Sequence, residues 1–196
     1  LGHCHTFDKR ADGYVRGESC VGFALKPSEE DSHFAVLGAC VRQDGKSASL
    51  TAPNGQAQGS LIKAALADGG VSPIDVSSLE AHGTGTPLGD PTEAGSLAAA
   101  LGGAGGAALC LGTHKANAGH AEPVSGLLGL AKAAAAVGCS TWLGNAQLRS
   151  LNPLVGERLG AAARPTALPT QGLARRAGGG EGVVGVSSFG YSGTIA

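Results

Sequence analysis

The segment Glu80-Ala-His-Gly-Thr-Gly-Thr-Pro-Leu-Gly-Asp90 holds a histidine between an apolar stretch and a run of glycines and threonines, a setting with few purely structural uses. His82 reads as a catalytic histidine on a loop. A second cluster, Thr113-His-Lys-Ala-Asn-Ala-Gly-His-Ala-Glu122, supplies Lys115 and His120, with His114 next to the lysine. A third, Gly185-Val-Ser-Ser-Phe-Gly-Tyr-Ser-Gly-Thr194, sets Phe189 and Tyr191 among glycines, and Gly190 and Gly193 permit close approach of backbone to a substrate. The Gly-Thr-Gly-Thr-Pro-Leu-Gly-Asp run superficially looks like a phosphate loop, but it lacks the Gly-Lys-Ser/Thr ending that such a loop needs, so nucleotide binding is not expected.

These groups need elements to hold them. Residues 76–81 predict a strand that delivers His82 at its carboxyl end, the end at which open α/β sheets bind ligands. Residues 109–111 predict a strand feeding the Lys115 loop, followed by a helix from about Pro123 to Val137, and residues 183–187 predict the last strand. Upstream, the short apolar runs 21–25 and 34–41, each flanked by breakers, read as strands, and 56–68 shows helical spacing that stops at Gly69-Gly70. The helix after His82 opens with Asp90 as cap, Pro91 in its first turn and Glu93 at the third position, an arrangement like a capping box. Residues 102–106 and 156–180 read as Gly/Ala/Arg-rich loops. Repeated alternation of strand and helix implies a layered α/β domain.

Composition narrows the function classes. The chain has 196 residues, 42% hydrophobic and 15% charged, with 14 Lys plus Arg against 15 Asp plus Glu. That balance supplies no basic surface for a phosphate backbone, so no nucleic acid partner is expected. The longest apolar run, 125–137, is interrupted by Gly126, Gly129 and Lys132 and is too short to span a bilayer, so no membrane segment is expected. The five cysteines, Cys4, Cys20, Cys40, Cys110 and Cys139, are odd in number and irregularly spaced, which favours free thiols over a disulfide framework. His3-Cys4-His5 has no second cluster at zinc spacing, so no metal site is expected. His3, His5, His33 and His114 read as surface or satisfied structural histidines, His114 standing apart only because it adjoins Lys115.

In this order and spacing the three clusters resemble the carboxy-terminal half of a β-ketoacyl synthase (ketosynthase) of the polyketide synthase type, the condensing domain of polyketide and fatty acid synthases. The resemblance also takes in Thr6-Phe-Asp with Ala11-Asp-Gly-Tyr-Val-Arg-Gly-Glu18, Gln43-Asp-Gly45, Leu50-Thr-Ala-Pro-Asn54, the block ending at Pro91, Lys115-x-Asn117-x-Gly119-His120, Asn152-Pro153 and the closing Val-Ser-Ser-Phe-Gly-Tyr-Ser-Gly-Thr. It implies a thiolase-like layered αβαβα fold of which mainly the second half is present. In that family the nucleophilic cysteine lies in a Cys-Ser-Ser type elbow upstream of the first catalytic histidine, and no such motif precedes His82. The resemblance therefore implies that residues 1–196 are a fragment of one ketosynthase domain, inactive alone.

Carried over residue by residue, His82 and His120 match the family's two catalytic histidines and Lys115 its lysine. The implied chemistry is a decarboxylative Claisen condensation between an acyl group on the cysteine and a malonyl-type unit on the phosphopantetheine of an acyl carrier protein. No cofactor is expected to bind directly. Acyl carrier protein, a second copy of the domain in a homodimer and neighbouring synthase domains are the implied partners, in the cytoplasm or a plastid. Thr84 and Thr86 match positions lining the pantetheine channel, although turn chemistry explains hydroxyls in such a loop as well. Glu93 matches a glutamate near the active centre, and capping its own helix accounts for it equally. Tyr191 falls where the family has a gating Phe whose backbone N–H completes an oxyanion hole, with Phe189 in the same loop. His120 precedes a helix whose positive end, together with Lys115, disfavours an imidazolium, leaving a neutral donor whose protonated nitrogen depends on its other partner. Arg42, Ala118 and Pro123-Val124 depart from the family pattern, which bears on substrate choice. Three readings stay open on the residues: an active condensing domain, a non-elongating or chain-length partner that binds acyl carriers, and a scaffold that only dimerises or binds acyl chains.

Overall fold

A computed structural model of the chain describes residues 2–27, 34–45, 52–103, 106–139, 141–174 and 182–196. In chain order the elements are β1 Arg42–Gln43, α1 Gly55–Asp68, β2 Val76–Glu80, α2 Gly89–Leu101, β3 Leu109–Gly112, α3 Lys115–Ala118, α4 Ser125–Cys139, β4 Thr141–Trp142, α5 Pro153–Gly160, β5 Thr166–Ala167, β6 Leu173–Ala174, β7 Val183–Val186 and β8 Thr194–Ile195. The centre is a four-stranded sheet in the order β5-β3-β2-β7, parallel throughout. Short antiparallel pairs, β1 with β8 and β4 with β6, flank it.

The two-residue period of a strand sends alternate side chains to opposite faces, and β3 shows the consequence. Leu109 and Leu111 join the larger core with Leu97 and Leu101 of α2, Ile62 of α1 and Val155 and Leu159 of α5. Cys110, between them, packs with Ala136 of α4, Trp142 of β4 and Val184 of β7. The result is helix, sheet, helix. On the second face α4 can lie close because it is built from small residues: a Cβ at Gly129 would come within 3.2 Å of Glu80 Cγ and 3.3 Å of Val186 Cγ1.

Helix starts follow local chemistry. Asn54 accepts the N–H groups of Gln56 and Ala57 and so caps α1, which ends at Gly69 with Gly70 in the left-handed region at φ +61°. Asn152 caps α5 through the Leu154 N–H, with Pro153 in the first position.

The expected helix at 56–68 and strands at 76–81, 109–111 and 183–187 are all present to within a residue or two. The helix expected from Pro123 opens instead with a 3-10 turn, Glu122–Val124, and becomes α-helical at Ser125. Three expectations are corrected. Residues 21–25 and 34–41 are not strands: the described chain there forms no ladder, the short β1 beginning only at Arg42, and Leu25, Val36, Leu37 and Val41 stand exposed. Apolar content proposed strands, but a strand also needs a neighbour. The segment 156–180 is not all loop, since α5, β5 and β6 fall in it; residues 175–180, like His33, Leu50 and Thr51, lie outside the described residues. The capping box at α2 does not form. No side chain of Leu88, at the cap position, serves that role, and Asp90 and Glu93 are turned toward the loop that carries His82.

Candidate active site

The three clusters meet because β3, β2 and β7 are neighbours in one parallel sheet, so their carboxyl ends emerge side by side. His82 follows β2, Lys115 and His120 follow β3, and Phe189 follows β7. Backbone bonds tie the exits together: Ala81 N–H donates to Gly112 O at 2.7 Å and Ser187 N–H to Glu80 O at 2.9 Å.

The His82 and His120 rings lie edge to face, centroids 5.7 Å apart and planes 86° to one another. The nitrogen that carries each proton follows from the partners. Phe189 N–H donates to His82 Nδ1 at 3.2 Å. Glu122 N–H donates to His120 Nδ1 at 3.0 Å, and the Ser125 hydroxyl sits 2.7 Å from the same nitrogen. A backbone N–H can only donate, so Nδ1 is the acceptor in both rings and a neutral imidazole must carry its hydrogen on Nε2. Both are held neutral. Burial, then the charge of Lys115, pulls His82 well below the usual imidazole range, and the same two causes take His120 down to about 4 against the pull of Glu122. Lys115 gave the sequence argument its correct direction, but burial ranks first.

His120 is gripped further. Its N–H donates to Val15 O at 2.8 Å, its carbonyl accepts Gly17 N–H at 2.9 Å, and the Tyr14 ring meets its edge at 4.9 Å. Glu122 turns its N–H onto the imidazole by adopting φ +48°, strained for a residue with a Cβ, and its carboxylate pairs with Arg16 at 2.8 Å.

Two carboxylates on the first turns of α2 shape the His82 loop from below. Glu93 accepts the N–H groups of His82 at 2.7 Å and Gly83 at 2.8 Å, and Asp90 accepts those of Gly85 at 3.0 Å and Phe7 at 2.7 Å. Burial pushes Asp90 up to about 6 and Glu93 up to about 7, against these donors and Lys115. Lys115 is itself only 2% exposed, and burial draws it down to about 8 against the fields of Glu80 and Glu93.

Thr84 and Thr86 bring their hydroxyls within 3.3 Å of each other on the same loop, and Thr86 Oγ1 also accepts the Gly89 N–H at the start of α2. Of the third cluster, the Phe189 ring lies 5.4 Å from that of His82, whereas Tyr191 is 77% exposed on the turn beyond it. Cys4 is fully buried, its thiol engaged with the backbone of Val15.

Reading the sequence missed several of these groups. Tyr14 and Ser125 carry no signal of their own until the chain closes on itself. A second set is buried below the histidines: Glu80, His114 and Lys132, the last two facing the Glu80 carboxylate from the loop after β3 and from α4. The available signal was a glutamate ending an apolar strand and a lysine in the middle of an apolar helix, since buried charges are paired.

Residues 33–149 match the model of the family described as beta-ketoacyl synthase, C-terminal domain. One of the phenolphthiocerol/phthiocerol polyketide synthase proteins of Mycobacterium tuberculosis is 42% identical over 205 residues, which take in all of this chain and 9% of that protein. Another protein of the same synthase and organism is 42% identical over 201 residues, which take in all of this chain and 13% of that protein. The chain thus spans a small part of the curated relatives it matches. Among solved structures, the ketosynthase from module 6 of the bacillaene synthase of Bacillus subtilis 168 superposes with a TM-score of 0.86 at 29% identity, covering 99% of this chain and 36% of that one. An oxazolomycin ketosynthase domain of Streptomyces albus superposes with a TM-score of 0.81 at 29% identity, covering 99% and 35%.

Proposed function

The chain belongs to the β-ketoacyl synthase family, with that family's thiolase-like fold, and from this premise we propose that it carries the enolate-stabilising half of a site for decarboxylative Claisen condensation in polyketide chain elongation. The observation that carries the reading is the pair of neutral imidazoles, each with Nδ1 occupied as acceptor and Nε2–H left to donate. In the proposed step a malonyl-type thioester loses its carboxyl group as carbon dioxide. The electron pair of the breaking C–C bond moves onto the thioester, whose oxygen becomes an enolate. His82 and His120 donate their Nε2–H groups to that oxygen, and fixed donors aimed at developing charge are worth a few kcal/mol each. The enolate carbon then attacks the acyl thioester carbon, the new C–C bond forms, and the cysteine sulfur leaves as thiolate.

The acylated cysteine is proposed to come from outside residues 1–196, which are read as part of one ketosynthase domain. Among the described residues Cys4 is sealed against Val15, and Cys110 is packed below the sheet. Lys115 is proposed to order the His120 loop and to keep both imidazoles neutral. Thr84 and Thr86 are assigned to the amides of the phosphopantetheine arm, which makes acyl carrier protein the delivering partner. Phe189 is placed at the acyl end of the site beside His82, with the exposed Tyr191 as its gate and its backbone N–H as an oxyanion donor. A homodimer and neighbouring synthase domains complete the proposed setting. Among the described residues no helix is long and apolar enough to cross a membrane, and the bacterial relatives lend nothing to a plastid location.

The test uses the complete domain with its cysteine. His82→Ala or His120→Ala lowers carbon dioxide release from malonyl carrier protein by about a hundredfold or more, about 3 kcal/mol of barrier, while acyl transfer to the cysteine, followed by intact mass, suffers less. Lys115→Ala falls between. Normal decarboxylation by His82→Ala together with lost acylation removes His82 from the enolate step.

A further inference from the structure

Below the two histidines lies a charge cluster that the proposed condensation does not use. Glu80, the last residue of β2 and 1% exposed, divides its carboxylate between two elements. Oε1 accepts from both the backbone N–H and Nδ1 of His114, and Oε2 pairs with Lys132 Nζ of α4 at 2.7 Å. The Lys132 side chain is 7% exposed, its ammonium 5.0 Å above the centre of the Trp142 ring. Gly129, one turn before Lys132, lets α4 ride directly on the Glu80 side chain, where even a methyl group would press within 3.2 Å of Cγ.

The placement matters because of what adjoins each member. Glu80 precedes His82 by two residues, His114 precedes Lys115 by one, and the Glu80 carbonyl accepts the Ser187 N–H of the loop leading to Phe189. One residue therefore holds the exits of all three strands. Burying a carboxylate and an ammonium is costly unless they are paired and bonded, and burying them at this junction, where an apolar pair would fill the space, calls for a use of the charge. Lys115 supplies one. It is faced by Glu80 from β2, Glu93 and Asp90 from α2, Lys132 from α4, Cys4 from the amino-terminal segment, and His82, His114 and His120 from the loops. Among these Glu80 is the leading attraction for its positive charge and Lys132 acts against it.

We propose that Glu80 is a positioning residue for the condensing site: by binding His114 through one oxygen and Lys132 through the other, it locks the His82 loop to the Lys115–His120 loop and sets its negative charge beside Lys115, with Lys132 opposing it. This rests on the enolate reading of the histidine pair. Glu80→Gln keeps the shape and an acceptor for the His114 N–H but removes the charge. Lys132→Met keeps the Glu80 carboxylate and removes its buried counter-charge. The two substitutions move Lys115 in opposite directions, which a merely structural role cannot do.

The experiment is a titration of the complete domain labelled with 13C at lysine Cε, followed by NMR, alongside the pH profile of malonyl decarboxylation. In Glu80→Gln the Lys115 midpoint falls, and in Lys132→Met it rises, each by about half a pH unit or more; the alkaline limb of kcat follows. Glu80→Gln also lowers kcat about tenfold with KM for malonyl carrier protein within about twofold, as expected of an effect on the transition state alone. Should Glu80→Gln fail to fold, the upward shift in Lys132→Met decides by itself. Coincident midpoints in parent and variants overturn the proposal. Opposite shifts in a parent that does not decarboxylate malonyl carrier protein leave the Glu80 field in place and sink the enolate reading instead.

Discussion

Replacing Glu93 separates the two accounts that its sequence position allows. A glutamate in a capping box at the start of α2 exchanges well for glutamine, which caps in the same way, and removing a cap costs about 0.5–2 kcal/mol. In the structure Glu93 does something else: 2% exposed, it accepts two backbone N–H groups, from His82 at 2.7 Å and Gly83 at 2.8 Å. Glu93→Ala orphans both donors, and at about 1–3 kcal/mol for each unsatisfied buried group the gross cost is about 2–6 kcal/mol. Part returns, because the lost carboxyl is one that burial has already pushed up to about 7. The expected net loss is about 2–4 kcal/mol, a large share of the roughly 5–15 kcal/mol typical of a domain. Glu93→Gln is the sharper variant. Its oxygen satisfies one N–H but its amide presents donors to the other, so about 1–2 kcal/mol is lost where a cap would lose almost nothing. Urea unfolding of the complete domain reads both values, and hydrogen exchange at the His82 and Gly83 amides reads the local effect. A Glu93→Gln domain as stable as its parent, with both amides equally protected, refutes the reasoning.

Asn145, fully buried, accepts Thr113 N–H at 3.1 Å and donates to Leu111 O and Pro169 O; Asn145→Ala is expected to cost about 2–4 kcal/mol, and a melting temperature equal to the parent's is the contrary result. His120, neutral with its hydrogen on Nε2, should give the 15N shifts of that tautomer at pH 7 and retain them until the pH approaches about 4. Its folded value lies below the ordinary 6.5, so the unfolded chain binds more protons between those limits; stability from this group is whole above about 6.5 and is lost as the pH falls toward 4. Asp90, raised to about 6, runs the other way, its contribution falling as pH climbs from the ordinary 3.8 through 6, and comparing pH–stability curves of parent, His120→Asn and Asp90→Asn isolates the two slopes. Residues 1–196 alone, incubated with an acyl thioester, should show no stoichiometric acylation by intact mass; in native alkylation the exposed Cys20 and Cys139 should react before the buried Cys4 and Cys110.

The sequence revealed most where one residue type has one good use. The strand–His82–glycine pattern, and the helical spacing of 56–68 with its end at Gly69-Gly70, were legible because turns, helix ends and sheet ends obey local chemistry. Residues 21–25 and 34–41 misled for the complementary reason: apolarity reports a wish to be covered, not the presence of a neighbouring strand. Asp90 and Glu93 were read as helix-start residues, which their spacing permits, but the donors they actually satisfy belong to His82, Gly83, Gly85 and Phe7, the last of them far away in sequence. No local pattern contains that partner. The same holds for Glu80 and Lys132, whose pairing exists only because α4 lies across β2.

The convergence of the three clusters itself follows from sheet order. A parallel arrangement β3-β2-β7 sends His114–Lys115, His82 and Phe189 out of the same edge, and no other order of these strands would make the β2 loop touch both of the others. Loops alone would then wander by more than the fraction of an ångström that fixed donors tolerate. The structure limits that freedom with buried hydrogen-bonding groups rooted in regular elements: Glu93 and Asp90 in α2 and Glu80 at the end of β2 as acceptors, and the Ser125 hydroxyl at the start of α4 as a donor to His120 Nδ1. Each binds a backbone N–H or ring nitrogen of a loop and shows that loop one geometry. The cost is two carboxylates, Asp90 and Glu93, and one lysine, Lys115, displaced from their ordinary ionisation, and the return is a pair of imidazoles whose Nδ1 atoms are both occupied. Preorganisation of this kind has to be built below the site, since a partner standing above the rings would occupy the space that the proposed enolate oxygen would need.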